Sequence, residues 1–131
     1  MNDAAVNVCA DLLREANFDD WESVTSALKG ARGQVPPRVA WLTLHLAETK
    51  RAYWALISAV AGTPMPPEEA DLNELMRWEV GVAQELNAEQ LGETVEYSGR
   101  TLTVLQLVRL NARHSAWHAG QIAALSNQRF A

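Results

Sequence analysis

Imidazole is the side chain best suited to holding a zinc-like ion near neutral pH, and this chain has three of them: His45, His114 and His118. His114 and His118 stand four residues apart in a strongly helical stretch. That spacing sets them one turn apart on a single face, with Cβ atoms about 5–6 Å from each other. Two ring nitrogens so placed can reach one ion at about 2.0–2.1 Å. The zinc helix H-E-x-x-H uses the same geometry, but Ser115, Ala116 and Trp117 fill the gap here and no glutamate base lies between the ligands. Taken alone, the pair fits a structural or surface role better than a metal site. His45 changes that weighing. It lies between Leu42 and Leu46, so all three histidines fall on inward stripes of two long helices. A buried imidazole without a partner is costly, and one shared ion would satisfy all three. Three neutral ligands also leave coordination positions open, as catalytic metal sites do and structural ones do not.

Other polar residues are candidates for supporting roles. Glu48, one turn beyond His45, is the nearest carboxylate in sequence and reads as a solvated helix charge paired with Lys50 or Arg51. Periodicity puts Glu79 near the apolar side of its helix, where it could accept a hydrogen bond from a ligand histidine. Asn111 and Gln121 flank the histidine pair by a turn, and either could steady an imidazole. Arg109 and Arg113 lie beside the stripe and could receive an anionic substrate, although solvation is the ordinary fate of such arginines. Cys9 is the only cysteine, which excludes an internal disulfide, and its spacing with Val6, Leu12 and Leu13 reads as a small buried residue. Of the five tryptophans, Trp41, Trp54, Trp78 and Trp117 fall on helices. They are expected in the core or at a dimer interface, Trp117 at the latter.

The elements that must position these residues separate at turn signals. A first helix runs from about Asp3 to Glu15. The run Asn17-Phe18-Asp19-Asp20 interrupts it, and a shorter helical turn from Trp21 to Lys29 ends at Gly30 and Gly33. The second helix opens at Pro36-Pro37 and ends at Gly62. Thr63 to Pro67 cannot be helical and must cross to the third helix, which starts near Glu68 and Glu69 and carries Leu72, Leu75, Met76, Glu79, Val82, Ala83 and Leu86. Residues 87–99 read as a connector, strand-like over Glu93–Tyr97, with a turn at Ser98-Gly99. Thr103 and Gln106 then form a capping box that opens the last helix. The expected fold is all-α: one domain spanning residues 1–131, a four-helix bundle with a long crossover connection.

The 131 residues carry a net charge of −5, with no basic run. That argues against a nucleic-acid backbone or an anionic lipid surface as partner. No stretch is long and apolar enough to cross a bilayer, and Met1–Ala5 lacks the start of a signal peptide, so a cytoplasmic protein is expected.

Two segments carry a family resemblance. Asn111-Ala112-Arg113-His114-Ser115-Ala116-Trp117-His118-Ala119-Gly120-Gln121-Ile122 resembles the last-helix motif of the DinB-like superfamily, small metal-binding four-helix bundles that include the YfiT-type proteins. The preceding Glu96–Thr103 segment resembles that family's strand and Gly-Arg-Thr turn. Val39–Thr49 resembles its helix with a single metal histidine. The resemblance covers about Trp21 to Ser126. It implies His45, His114 and His118 as ligands of a divalent ion such as zinc or nickel, and often a homodimer. It further implies a small-molecule substrate and, in some relatives, a low-molecular-weight thiol cofactor. A serine common ahead of the first histidine is missing here, where Pro36, Pro37 and Arg38 stand. The expected function is a metal-dependent enzyme of thiol S-transferase or hydrolase type. The alternative is a non-catalytic metal-binding stress-response or dimeric interaction protein.

Overall fold

A computed structural model describes residues 3–31 and 35–126. Gly33, expected to end the second helical stretch, lies outside them, as does the side chain of Val6. Six helices and one hairpin make up the described chain: α1 (Asp3–Phe18), α2 (Val24–Gly30), α3 (Pro37–Ala61), α4 (Leu72–Gln84), α5 (Ala88–Gly92), β1 (Thr94–Tyr97), β2 (Arg100–Thr103) and α6 (Val104–Ser126). The helical class expected from the sequence is therefore present, joined by a small sheet. The four long helices pack in the ring order α1, α4, α3, α6, and α2 lies on α6. Consecutive long helices α3 and α4 are neighbours, so the 62–71 segment does not make the expected crossover. The diagonal connections are those from α1 to α3 through α2, and from α4 to α6 through α5 and the hairpin. No described helix is long and apolar enough to cross a membrane.

Local chemistry sets the element boundaries. Ser23, Asp71 and Asn87 each cap a helix with a reciprocal box, closed by Ser26, Glu74 and Gln90. The Asp71 box starts α4 at Leu72 rather than at Glu68, which precedes the helix. The Ser23 box likewise starts α2 at Val24. Trp21 is left outside the helix, 81% exposed, beyond Glu22 in the left-handed region at φ 56°. It does not share the face of Val24 and Leu28 as its spacing suggests. The Thr103–Gln106 box opens α6 as expected, with bonds of 2.9 and 3.1 Å. Strands β1 and β2 pair antiparallel, Tyr97 opposite Arg100. Ser98 (φ 54°) and Gly99 (φ 79°) form the two-residue turn between them, both left-handed as hairpin twist requires.

The core has two apolar clusters. One gathers Cys9, Leu13, Tyr53, Trp54, Ile57, Leu107 and Val108; the other gathers Val24, Leu42, Leu46, Leu75, Met76 and Ile122. A buried polar layer separates them along the long helices. It holds Asn17 of α1, Lys50 of α3, Glu79 of α4 and Asn111 of α6, none more than 1% exposed. Glu79 accepts from the other three and from Trp54: Asn17 Nδ2 at 2.7 Å, Trp54 Nε1 at 2.8 Å, Asn111 Nδ2 at 2.8 Å, and the Lys50 ammonium in a short ion pair. Lys50 also donates to Asn111 Oδ1 at 2.9 Å. Four long helices thus meet at one carboxylate. This network explains why α1 runs on to Phe18 instead of breaking at Asn17: the amide of Asn17 is turned into the core and bonded there.

Candidate metal centre

His45 comes from α3 and the other two histidines from α6, which pack together. His45 sits one turn before Thr49, whose hydroxyl donates to the His45 carbonyl at 2.8 Å. The α3 face that carries it is fixed by Leu42, Leu46 and Lys50, all buried. On α6, Asn111, Ala112, Ser115 and Ala119 are buried on the inward side, leaving His114 and His118 half-buried at its edge.

One potential ligand atom from each histidine lies within 4.8 Å of the other two, and no other such trio of His, Cys, Asp or Glu occurs among the described residues. The rings meet edge-on: His114 and His118 at 4.4 Å and 86°, His45 and His118 at 4.9 Å and 87°, His45 and His114 at 5.3 Å and 62°. His114 Nε2 and His118 Nε2 are 3.0 Å apart. Two nitrogens at that separation, each about 2.1 Å from one ion, subtend about 90° at it, within the range of metal coordination. The donor set fits a divalent ion.

Neighbours set each ring. His118 Nδ1 lies 2.6 Å from Gln121 Oε1, an acceptor, which favours the tautomer with the proton on Nδ1 and the Nε2 lone pair directed at the shared centre. Trp41 lies flat against His45, 5.0 Å between centroids and 6° between planes, and is itself covered by the Arg38 guanidinium at 4.3 Å. Tyr53 meets His114 edge-on at 6.1 Å. Burial holds the His114 imidazole down to about 4, helped by the nearby charges of His118, His45 and Lys50. Burial also lowers His45, with His118 adding to the effect and Glu48 opposing it. Both rings are therefore neutral at physiological pH, as ligation requires.

The supporting residues divide. Gln121 steadies an imidazole, as its spacing suggests. Asn111 does not: its amide is committed to Lys50 and Glu79. Glu79 accepts from Asn17, Lys50, Trp54 and Asn111 and from no ligand histidine. Glu48 is exposed, as expected, but Lys50 is not its partner, and Arg51 donates instead to the Ala70 carbonyl. Cys9 is buried and its thiol is pushed up by burial, which leaves it inert. Trp54 is in the core and Trp78 packs against it at 5.7 Å, whereas Trp41 and Trp117 are 49% and 70% exposed in the chain. Lys50 and Asn17 are the residues that sequence reasoning missed. The signal for Lys50 was its place four residues after Leu46 and three before Tyr53, on the stripe that also carries the buried side chains. No family model, curated protein or solved structure matches the chain.

Proposed function

We propose that the protein is a metal-dependent enzyme of the DinB-like kind, holding zinc or nickel on His45, His114 and His118 and acting by thiol S-transfer or hydrolysis. The observation that carries this reading is the convergence of three imidazoles from two helices, with no fourth His, Cys, Asp or Glu ligand grouped with them among the described residues. When bound, such an ion lowers the pKa of a water or a thiol and so supplies a nucleophile near neutral pH. The chain's own contribution is orientation. Gln121 favours this His118 tautomer, and Trp41 fixes the plane of His45. The three rings are only half-buried, so a small molecule could approach the centre from solvent. Glu48, exposed one turn from His45, is the carboxylate placed to exchange a proton with solvent there. Trp41, which stacks on His45, and Trp117, next to His118 in sequence, are both exposed in the chain and are the apolar surface a homodimer of this kind would use.

Metal analysis of natively purified protein beside a His118→Ala variant tests the centre. The wild type should carry close to one ion per chain and the variant far less. Titration of the loaded protein with glutathione, bacillithiol and mycothiol then tests the thiol version. A wild type that copurifies with no metal and binds none on addition would sink the proposal. Metal binding without any thiol response would leave hydrolysis as the surviving chemistry.

A further inference from the structure

The chain is acidic overall, yet one cleft gathers three of its arginines. It lies between the β1–β2 hairpin and α6, has a volume of about 550 Å³, and is lined by Arg100, Arg109 and Arg113 together with Gln106, Tyr97 and Leu110, among others; no carboxylate lines it. A cleft of that size matches small-molecule sites, which run to about 300–1,000 Å³. None of the three arginines forms a salt bridge with any described residue. Two separate elements bring them together. Arg109 and Arg113 are one turn apart on the same face of α6. Arg100 is the first residue of β2, aimed by the left-handed Ser98-Gly99 turn. Like charges gathered without a counter-charge repel, and guanidinium is the group that best matches a carboxylate or phosphate through paired hydrogen bonds.

The cleft has no histidine in its lining but stands within a helical turn of the metal centre. Leu110 in its wall stands one helical turn before His114, about 6 Å along the axis of α6. Tyr97 in its wall packs on Tyr53 at 5.3 Å, and Tyr53 meets His114 edge-on at 6.1 Å. The geometry points to an anion-binding cleft that takes the carboxylate or phosphate end of a small molecule whose other end reaches the metal centre. This rests on the metal reading above and adds to it the class of ligand: a small, elongated, anionic molecule.

The test uses the full chain and two probes, followed by amide chemical shifts at low ionic strength. Inorganic phosphate is titrated into metal-free protein. Adipate, a linear dicarboxylate, is titrated with and without zinc. Phosphate should give saturable shifts confined to the hairpin and the first half of α6. Arg109→Gln and Arg113→Gln should each weaken it about tenfold, equivalent to about 1.4 kcal/mol and the loss of one charge-assisted bond. Zinc affinity, read separately by chelator competition, should be unchanged in both variants, since neither arginine is a ligand. Adipate should bind more tightly to the zinc form, and His118→Ala should erase that gain. Phosphate shifts that do not saturate, or that survive both substitutions, overturn the cleft. Arginine-dependent binding with no zinc gain for adipate overturns the bridge to the metal centre. Failure of zinc to bind in the competition assay overturns the metal reading itself, and is seen independently of the phosphate titration.

Discussion

At the scale of single residues, the centre depends on which nitrogen of each ring is free. Gln121 lies beside one ring only, yet its carbonyl oxygen favours the His118 tautomer that offers Nε2. Partners of this kind commonly account for about 10–100-fold in metal affinity, so Gln121→Ala should weaken zinc by about that factor in a chelator competition while leaving the melting temperature of the metal-free protein unchanged. His114 makes a second residue-level prediction. Its folded value of about 4 lies below the ordinary 6.5 of an unfolded chain. Between those values the unfolded chain binds a proton that the folded one refuses, so acid favours unfolding. The metal-free protein should hold its stability above pH 6.5 and lose it progressively as the pH falls toward 4. Thermal melts across that range should fall less steeply for His114→Leu, and an equal slope in the two proteins would refute the assignment.

At the scale of elements, α3 and α6 are aligned by the polar layer. Glu79 neutralises Lys50 and accepts from three further donors, so its removal strands a buried ammonium and several donors at once. Breaking a buried pair this way typically costs about 3–5 kcal/mol, and Glu79→Ala should lose about that much in urea unfolding. Replacing the pair together, Lys50→Met with Glu79→Leu, should recover a large share of it, because the uncompensated charge is gone. A double variant no better than the single one would show that the hydrogen bonds to Asn17, Trp54 and Asn111 matter more than the charge. The same layer shows what was legible in the sequence. The helices of His45, His114 and His118 could be read from apolar spacing, and the start of α6 from Thr103 and Gln106, because these are local signals. Lys50 was misassigned to Glu48 because an i, i+2 or i, i+3 neighbour is visible in sequence, whereas Glu79 is brought to it only by tertiary packing. Asn17 looked like a helix breaker for the same reason. Its partner sits on another helix, and a side-chain hydrogen bond made there overrides its local preference.

At the scale of the whole molecule, an ion held by all three histidines would tie α3 to its neighbour α6. An ion that binds the folded chain alone stabilises it by mass action, about 2.7 kcal/mol at a free concentration one hundred times the dissociation constant. For a chain of this size that is a rise in melting temperature of more than about 5 °C, reversed by a chelator. No rise in the wild type, or an equal rise in His45→Ala, would mean that the ion does not bridge the helices. Hydrogen exchange should locate the gain in α3 and α6, with α1 changing least.

His45 and Lys50 stand five positions apart on α3, and both meet partners on other helices: one the histidine pair of α6, the other Glu79 of α4. A helix turns by about 100° per residue, so deleting or inserting one residue between them swings one group away when the other is in place. Length changes there should be forbidden in any chain that keeps both features, while the segment from Thr63 to Ala70 is free to lengthen. The interval between a clustered histidine and a core charge thus acts as a reading frame for the fold: shift it by one, and either the histidine cluster or the buried ion pair is lost.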